Sequence, residues 1–154
     1  KKKASRFMVL KPNGSLYTFG SKIRPSHTAW SEKGILIVTG QLKNSRALYS
    51  LHPTLQHEYA IPLNIFVDGH PSFIDETNFI SDTYPDALGH QKLFIATKNK
   101  AYPAIASFYL PPDYKGEVRC DLHPRLSHDK KTVIVDIVQN GFRSVAQIPI
   151  LRKK

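Results

Sequence analysis

The sequence predicts an all-β chain built from repeated small sheets, and three observations lead there. The apolar stretches are short, rich in β-branched and aromatic residues, and separated by Gly, Pro, Asn and Asp. No stretch shows the 3.6-residue periodicity of a long helix. A block opening on histidine recurs three times, each copy leading into a pair of strands.

Taken in order, the expected strands are Arg6–Leu10, Ser15–Phe19, Gly34–Thr39, Arg46–Leu51, His57–Ile61, Thr77–Asp82, Gln91–Thr97, Ile105–Leu110, Thr132–Val138 and Arg143–Ile150. Asn13-Gly14 and Asn140-Gly141 each sit between two such runs, the pattern of a tight hairpin, because both residues tolerate positive φ. Pro111-Pro112-Asp113 must end the strand before it, since proline cannot donate to a ladder. No linker or low-complexity segment divides residues 1–154, so a single unit is expected.

The repeat carries the most information. His27-Thr-Ala-Trp30-Ser-Glu-Lys-Gly34, His70-Pro-Ser-Phe73-Ile-Asp-Glu-Thr77 and His123-Pro-Arg-Leu126-Ser-His-Asp-Lys130 each place a large apolar residue three positions after histidine, then a polar turn, then a strand. The copies start at 27, 70 and 123, so they lie 43 and 53 residues apart. Units of about 40–50 residues with four short strands are the pattern of β-propeller blades. A blade buries little alone and must stack on its neighbours, which predicts Trp30, Phe73 and Leu126 as core. Closed propellers need about four blades. About three are present, so a further stretch of polypeptide or a blade-completing partner chain is expected. A β-sandwich is the competing fold.

The block resembles the repeats of TolB-like and WD40-like propellers, whose unit reads Pro-x-Trp-Ser-Pro-Asp-Gly before a strand. Trp30-Ser31 with Lys33-Gly34, and Pro124, Ser127 and Asp129, carry the likeness. Histidine ahead of the proline position, with the run Asp121-Leu122-His123-Pro124, is similar to the oligogalacturonate lyase branch. That resemblance implies a divalent manganese-type ion held by axial histidines and cleavage of acidic sugar chains by β-elimination. His70 and His123 are the positions it carries over.

In a propeller, equivalent positions of successive blades point toward one axis. His27, His70 and His123 would therefore converge just ahead of their strands and hold one divalent metal ion, Mn or Ca. Asp82, Asp86, His90 and Asp121 lie near them in sequence and could supply carboxylate or outer partners, as could Asp68. Tyr84 and Arg125 complete the candidate ligand-binding set, and Arg119, Arg143 and Lys92 are further cations available to an acidic substrate. The bland alternative is that the repeated histidines brace their own sheets. Asp82 and Asp86 could likewise form Asx turns. Ser127-His128-Asp129 occupies a turn and is discounted as a catalytic triad, because adjacent side chains do not converge.

Bulk properties narrow the rest. Formal charge is +10, but Lys1, Lys2, Lys3, Arg152, Lys153 and Lys154 hold six of the 22 positive residues. The body between keeps 16 positive and 12 negative residues, a weak excess that ranks nucleic-acid binding last among the readings. The lone Cys120 excludes an intrachain disulfide and a thiolate zinc cluster. It leans weakly to the cytoplasm, with a secreted or periplasmic location open. No run approaches the roughly 18 apolar residues of a membrane span. The leading expectation is a carbohydrate-active or carbohydrate-binding propeller segment, in its sharpest form a metal-dependent lyase of acidic polysaccharide. The alternative is a noncatalytic scaffold for protein–protein interaction.

Overall fold

A computed structural model describes residues 7–19, 23–42, 45–51, 61–63, 68–97 and 100–150. Among these residues the chain is all-β, with four antiparallel sheets that follow one another in sequence. Sheet 1 is a hairpin of β1 (Phe7–Leu10) and β2 (Leu16–Phe19). Sheet 2 holds β3 (Ile23–Trp30), β4 (Leu36–Leu42), β5 (Ser45–Leu51) and β6 (Ile61–Leu63) in that spatial order. Sheet 3 repeats the meander with β7 (Ser72–Phe73), β8 (Asn78–Asp82), β9 (His90–Thr97) and β10 (Ala101–Tyr109). Sheet 4 holds β11 (Arg125–Leu126), β12 (Thr132–Gln139) and β13 (Phe142–Pro149). A 3-10 turn at Gly116–Val118 lies on the connection from β10 to β11.

Both Asn-Gly pairs lie in hairpin loops, but only the second is a two-residue turn; at the first, Gly14 alone takes positive φ and Lys11 N–H bonds Ser15 O across Pro12-Asn13-Gly14. Asn140 and Gly141 both take positive φ, and β12 pairs with β13 from Gln139↔Phe142 onward, so the loop is two residues long. The strand expected at 57–61 lies outside the described residues except for Ile61, as do the basic ends at 1–6 and 151–154.

The first strand of each larger sheet was not expected, and all three lie in the histidine blocks. His27 is therefore inside β3 rather than ahead of a strand. Pro25 explains the local geometry. It lacks an N–H, and the register of β3 against β4 slips between Pro25 and Thr28. His27 sits in that bulge and gives its N–H to Thr39 Oγ1 at 2.9 Å instead of to the ladder.

The sheets stack face to face in sequence order. Leu36 and Val38 pack on Phe7, Val9 and Tyr17 of sheet 1. One residue on, Ile37 points the other way and joins Phe73, Phe79, Phe94 and Ala96 of sheet 3. The opposite face of sheet 3, with Ile80 and Leu93, meets Val133 and Val135 of sheet 4 and Leu122 of the connection that leads into it. The middle strands of sheets 2 and 3 thus bury both faces, so consecutive residues, Leu36-Ile37-Val38 in β4 and Phe79-Ile80 in β8, are apolar and buried.

Trp30 departs from its expected place in the core and is 48% exposed. It pairs with Leu36 and shares the face turned toward sheet 1. The two described strands of sheet 1 cover Leu36 and Val38 but leave much of the indole bare. Phe73 and Leu126, at the equivalent positions, do pack against core clusters because complete neighbours face them.

Candidate functional site

Three lead-in turns set a common register. Ser31 N–H bonds Ile35 O, Ile74 N–H bonds Asn78 O, and Ser127 N–H bonds Thr132 O. The third turn is one residue longer than the others. Counting four positions past each acceptor gives Thr39, Asp82 and Asp136 as equivalent residues. Each faces the histidine of its own sheet. Asp136 was not among the sequence candidates, because the extra residue hides its equivalence to Asp82.

The three histidines form a row. The ring centroids of His27 and His70 are 4.1 Å apart, and those of His70 and His123 are 4.2 Å apart. Each ring has a carboxylate beside Nδ1. His70 Nδ1 lies 2.9 Å from Asp82 Oδ2, His123 Nδ1 lies 3.5 Å from Asp136 Oδ2, and His27 Nδ1 lies 3.5 Å from Asp68 Oδ1. A carboxylate only accepts, so the Asp82 contact puts the His70 proton on Nδ1 and leaves Nε2 as a ligand atom.

Asp82 is fully buried and ties two sheets together. It accepts the backbone N–H of His70 at 2.6 Å and that of His123, from the next sheet, at 3.2 Å. This replaces the expected Asx turn. The neighbouring Gly69 has no room for a side chain: a Cβ there would run into the Asp82 backbone carbonyl and stand 2.8 Å from its Oδ1. His123 is held at φ 41°, a left-handed conformation that costs a residue other than glycine about 1 kcal/mol or more. Leu122 anchors that bend. Its side chain is buried in the sheet 3–sheet 4 core, and its carbonyl accepts Asp136 N–H at 2.8 Å. Asp121 and His123 therefore emerge on either side of a fixed point.

His70, Asp121 and His123 each offer one ligand atom, and these atoms lie within 4.8 Å of one another. Donors on one tetrahedral ion stand roughly 3.4 Å apart at bonds of about 2.1 Å, so the three side chains would have to draw together to hold it. The donor chemistry fits. The His70 imidazole is oriented by an outer carboxylate, the arrangement that fixes tautomer and raises ligand basicity, and it stands with His123 beside the buried Asp121. His27 lies against His70 with its ring tilted 58° to it, but contributes no atom to this set.

Arg119 faces the site from the other side. Its Nε and Nη2 donate to Asp121 Oδ1 and Oδ2, both at 2.7 Å, and Gln91 Nε2 adds a longer bond of 3.4 Å to Oδ1. The guanidinium lies 4.4 Å above the Tyr84 ring. Tyr84 also stands edge-on to His70 at 6.0 Å, and its hydroxyl is pushed up from the usual pKa, first by burial and then by the Asp68 charge. Arg125 is spent on Asp136, with Nη2 2.6 Å from Oδ1. A cavity of about 290 Å³ opens beside His123 and is lined by Arg119, Asp121, Asp136, Arg143 and Ser144.

Other candidates have local work. Asp86 Oδ1 accepts the N–H groups of Leu88 and His90, an Asx turn, and His90 rests near Tyr109. Ser127 Oγ donates to Asp129 at 2.7 Å, which settles the trio at 127–129 as turn chemistry. Cys120 is buried, which pushes its thiol pKa up and leaves it a poor nucleophile. Among the described residues no helix is long and apolar enough to cross a membrane.

No family model matches the chain, and neither a curated protein nor a solved structure matches it.

Proposed function

We propose that sheets 2, 3 and 4 are successive blades of a propeller-type arrangement, and that His70 and His123 of the histidine row bind, with Asp121, a divalent metal ion which in turn receives an acidic glycan. The serial face-to-face stacking supports the blade reading. β3, β7 and β11 open their sheets alike and lie side by side, with β7 in contact with both of the others. One observation carries the metal reading: His70 and His123, from equivalent positions, converge with the buried Asp121. Two imidazoles and one carboxylate suit a transition ion such as Mn²⁺ better than Ca²⁺, which prefers oxygen alone. The similarity of the histidine blocks to the oligogalacturonate lyase branch supports a uronate ligand, whose carboxylate such an ion would neutralise.

Calorimetric titration with Mn²⁺ tests the site. One ion per chain is expected, lost in His70→Ala and in His123→Ala while circular dichroism stays native. Unchanged stoichiometry in both variants would sink the assignment. Incubating the loaded protein with polygalacturonate, and following ultraviolet absorbance of an unsaturated product, separates a lyase from a binding module.

A noncatalytic scaffold is the second reading, and one observation favours it. Met8, Leu10 and Leu16 are exposed together on the outer face of sheet 1, and Val145 and Phe142 are exposed on sheet 4. Apolar side chains at both ends of a stack suit protein–protein contact.

A further inference from the structure

We infer that Arg119 is a displaceable counter-ion of Asp121, so that loading the metal site releases its guanidinium to bind the carboxylate of an acidic ligand. This rests on the metal reading above and adds an order of events to it.

Asp121 is 7% exposed, and a carboxylate so buried needs a compensating positive charge. Among the described residues Arg119 is the cation that contacts it, through two parallel 2.7 Å bonds. A divalent ion held by His70, His123 and Asp121 would supply that charge itself. Two cations on one carboxylate repel, and the bond from Arg119 weakens as the ion enters.

Arg119 is built to be the partner that moves. Its side chain is 37% exposed while that of Asp121 is 9% exposed, and it follows directly on the 3-10 turn at Gly116–Val118. Asp121, by contrast, adjoins the anchored Leu122. The Tyr84 ring gives the guanidinium a platform that does not depend on Asp121. Arg143 stays in place, with Nη2 donating to Val118 O at 2.7 Å and to Arg119 O at 3.3 Å. A freed Arg119 therefore presents a planar fork beside a second fixed cation, at the edge of the 290 Å³ cavity. A carboxylate is the partner that matches this fork in shape and charge.

Binding linkage makes the effect reciprocal: the ion strengthens carboxylate binding and the carboxylate strengthens ion binding by the same factor. The experiment is a Mn²⁺ titration of the intact chain by calorimetry, with and without galacturonate, for wild type, Arg119→Gln, Arg119→Lys and His70→Ala. In wild type, galacturonate should tighten Mn²⁺ binding by about tenfold. Without galacturonate, Arg119→Gln should bind Mn²⁺ about tenfold more tightly than wild type, because Asp121 is freed and a positive charge is gone. The same variant should lose the galacturonate effect. Arg119→Lys keeps the charge without the fork and should fall between them, and it carries the test if the Gln variant loses its native spectrum. Equal or weaker Mn²⁺ binding by Arg119→Gln overturns the inference and makes Arg119 a structural clamp, as does full retention of the galacturonate effect. Absence of Mn²⁺ binding in wild type and Arg119→Gln alike, or binding that survives His70→Ala, overturns the metal reading itself.

Discussion

Replacing Asp82 with alanine is expected to cost about 3–5 kcal/mol of folding stability. The carboxylate accepts three hydrogen bonds, from the backbone N–H groups of His70 and His123 and from His70 Nδ1. Alanine removes a fully buried acceptor and leaves both backbone donors, each part-buried, without their partner. Each such loss costs about 1–3 kcal/mol, and the freed imidazole adds to it. His123 also loses a bond that holds its left-handed bend, so the seam between sheets 3 and 4 should loosen first. Asp82→Asn keeps an acceptor oxygen and the volume, and should cost about 1–2 kcal/mol. Its amide no longer matches the His70 proton, so Mn²⁺ affinity should fall about 10–100-fold, as when an outer partner of a ligating histidine is removed. Urea unfolding followed by circular dichroism measures the first effect and calorimetry the second. An alanine variant within about 1 kcal/mol of wild type would refute the reasoning, because neither N–H could then depend on this side chain.

Two further outcomes follow from the packing and the charges. Leu122→Ala should lose about 2–5 kcal/mol in urea unfolding, since it empties a fully buried position in the core between sheets 3 and 4. Partial burial pushes the Asp75 carboxyl up, but hydrogen bonds from Thr77 and Asn78 outweigh it and hold the pKa at about 2, below the ordinary 3.8. A depressed carboxyl stabilises the fold above its unfolded value, and that stability is lost as pH falls from about 4 through about 2. Asp75 is exposed, so screening leaves about 1 kcal/mol. The stability gap between wild type and Asp75→Asn should be present at pH 5 and close near pH 2, and a gap constant over that range would exclude the mechanism.

What the sequence made legible has a physical pattern. The middle strands β4, β8, β9 and β12 were expected because they carry buried apolar residues and end at turn residues. β3, β7 and β11 were not. β3 contains Pro25 and a bulge, and the other two are only two residues long and follow Pro71 and Pro124. Hydrophobic periodicity has no purchase on such segments. His70, His123 and Asp121 were legible as a group because repetition marks the histidines and Asp121 stands two residues from one of them. Asp136 was not, because one extra turn residue shifts it out of register with Asp82. Asp86 and His90 looked like Asp121 and His123 in composition, and only the fold shows that they close their own turn. The exposure of Trp30 depends on how far the facing sheet extends, which no local pattern encodes.

That half-bare indole has a practical consequence. Trp30 is the only tryptophan in the chain, so its fluorescence reports on a single surface, the one turned toward sheet 1. Iodide should quench it in the isolated chain. Anything that seats against that face should shift the emission to shorter wavelength and shield it from the quencher, giving a label-free optical probe of coverage at the N-terminal side of the stack.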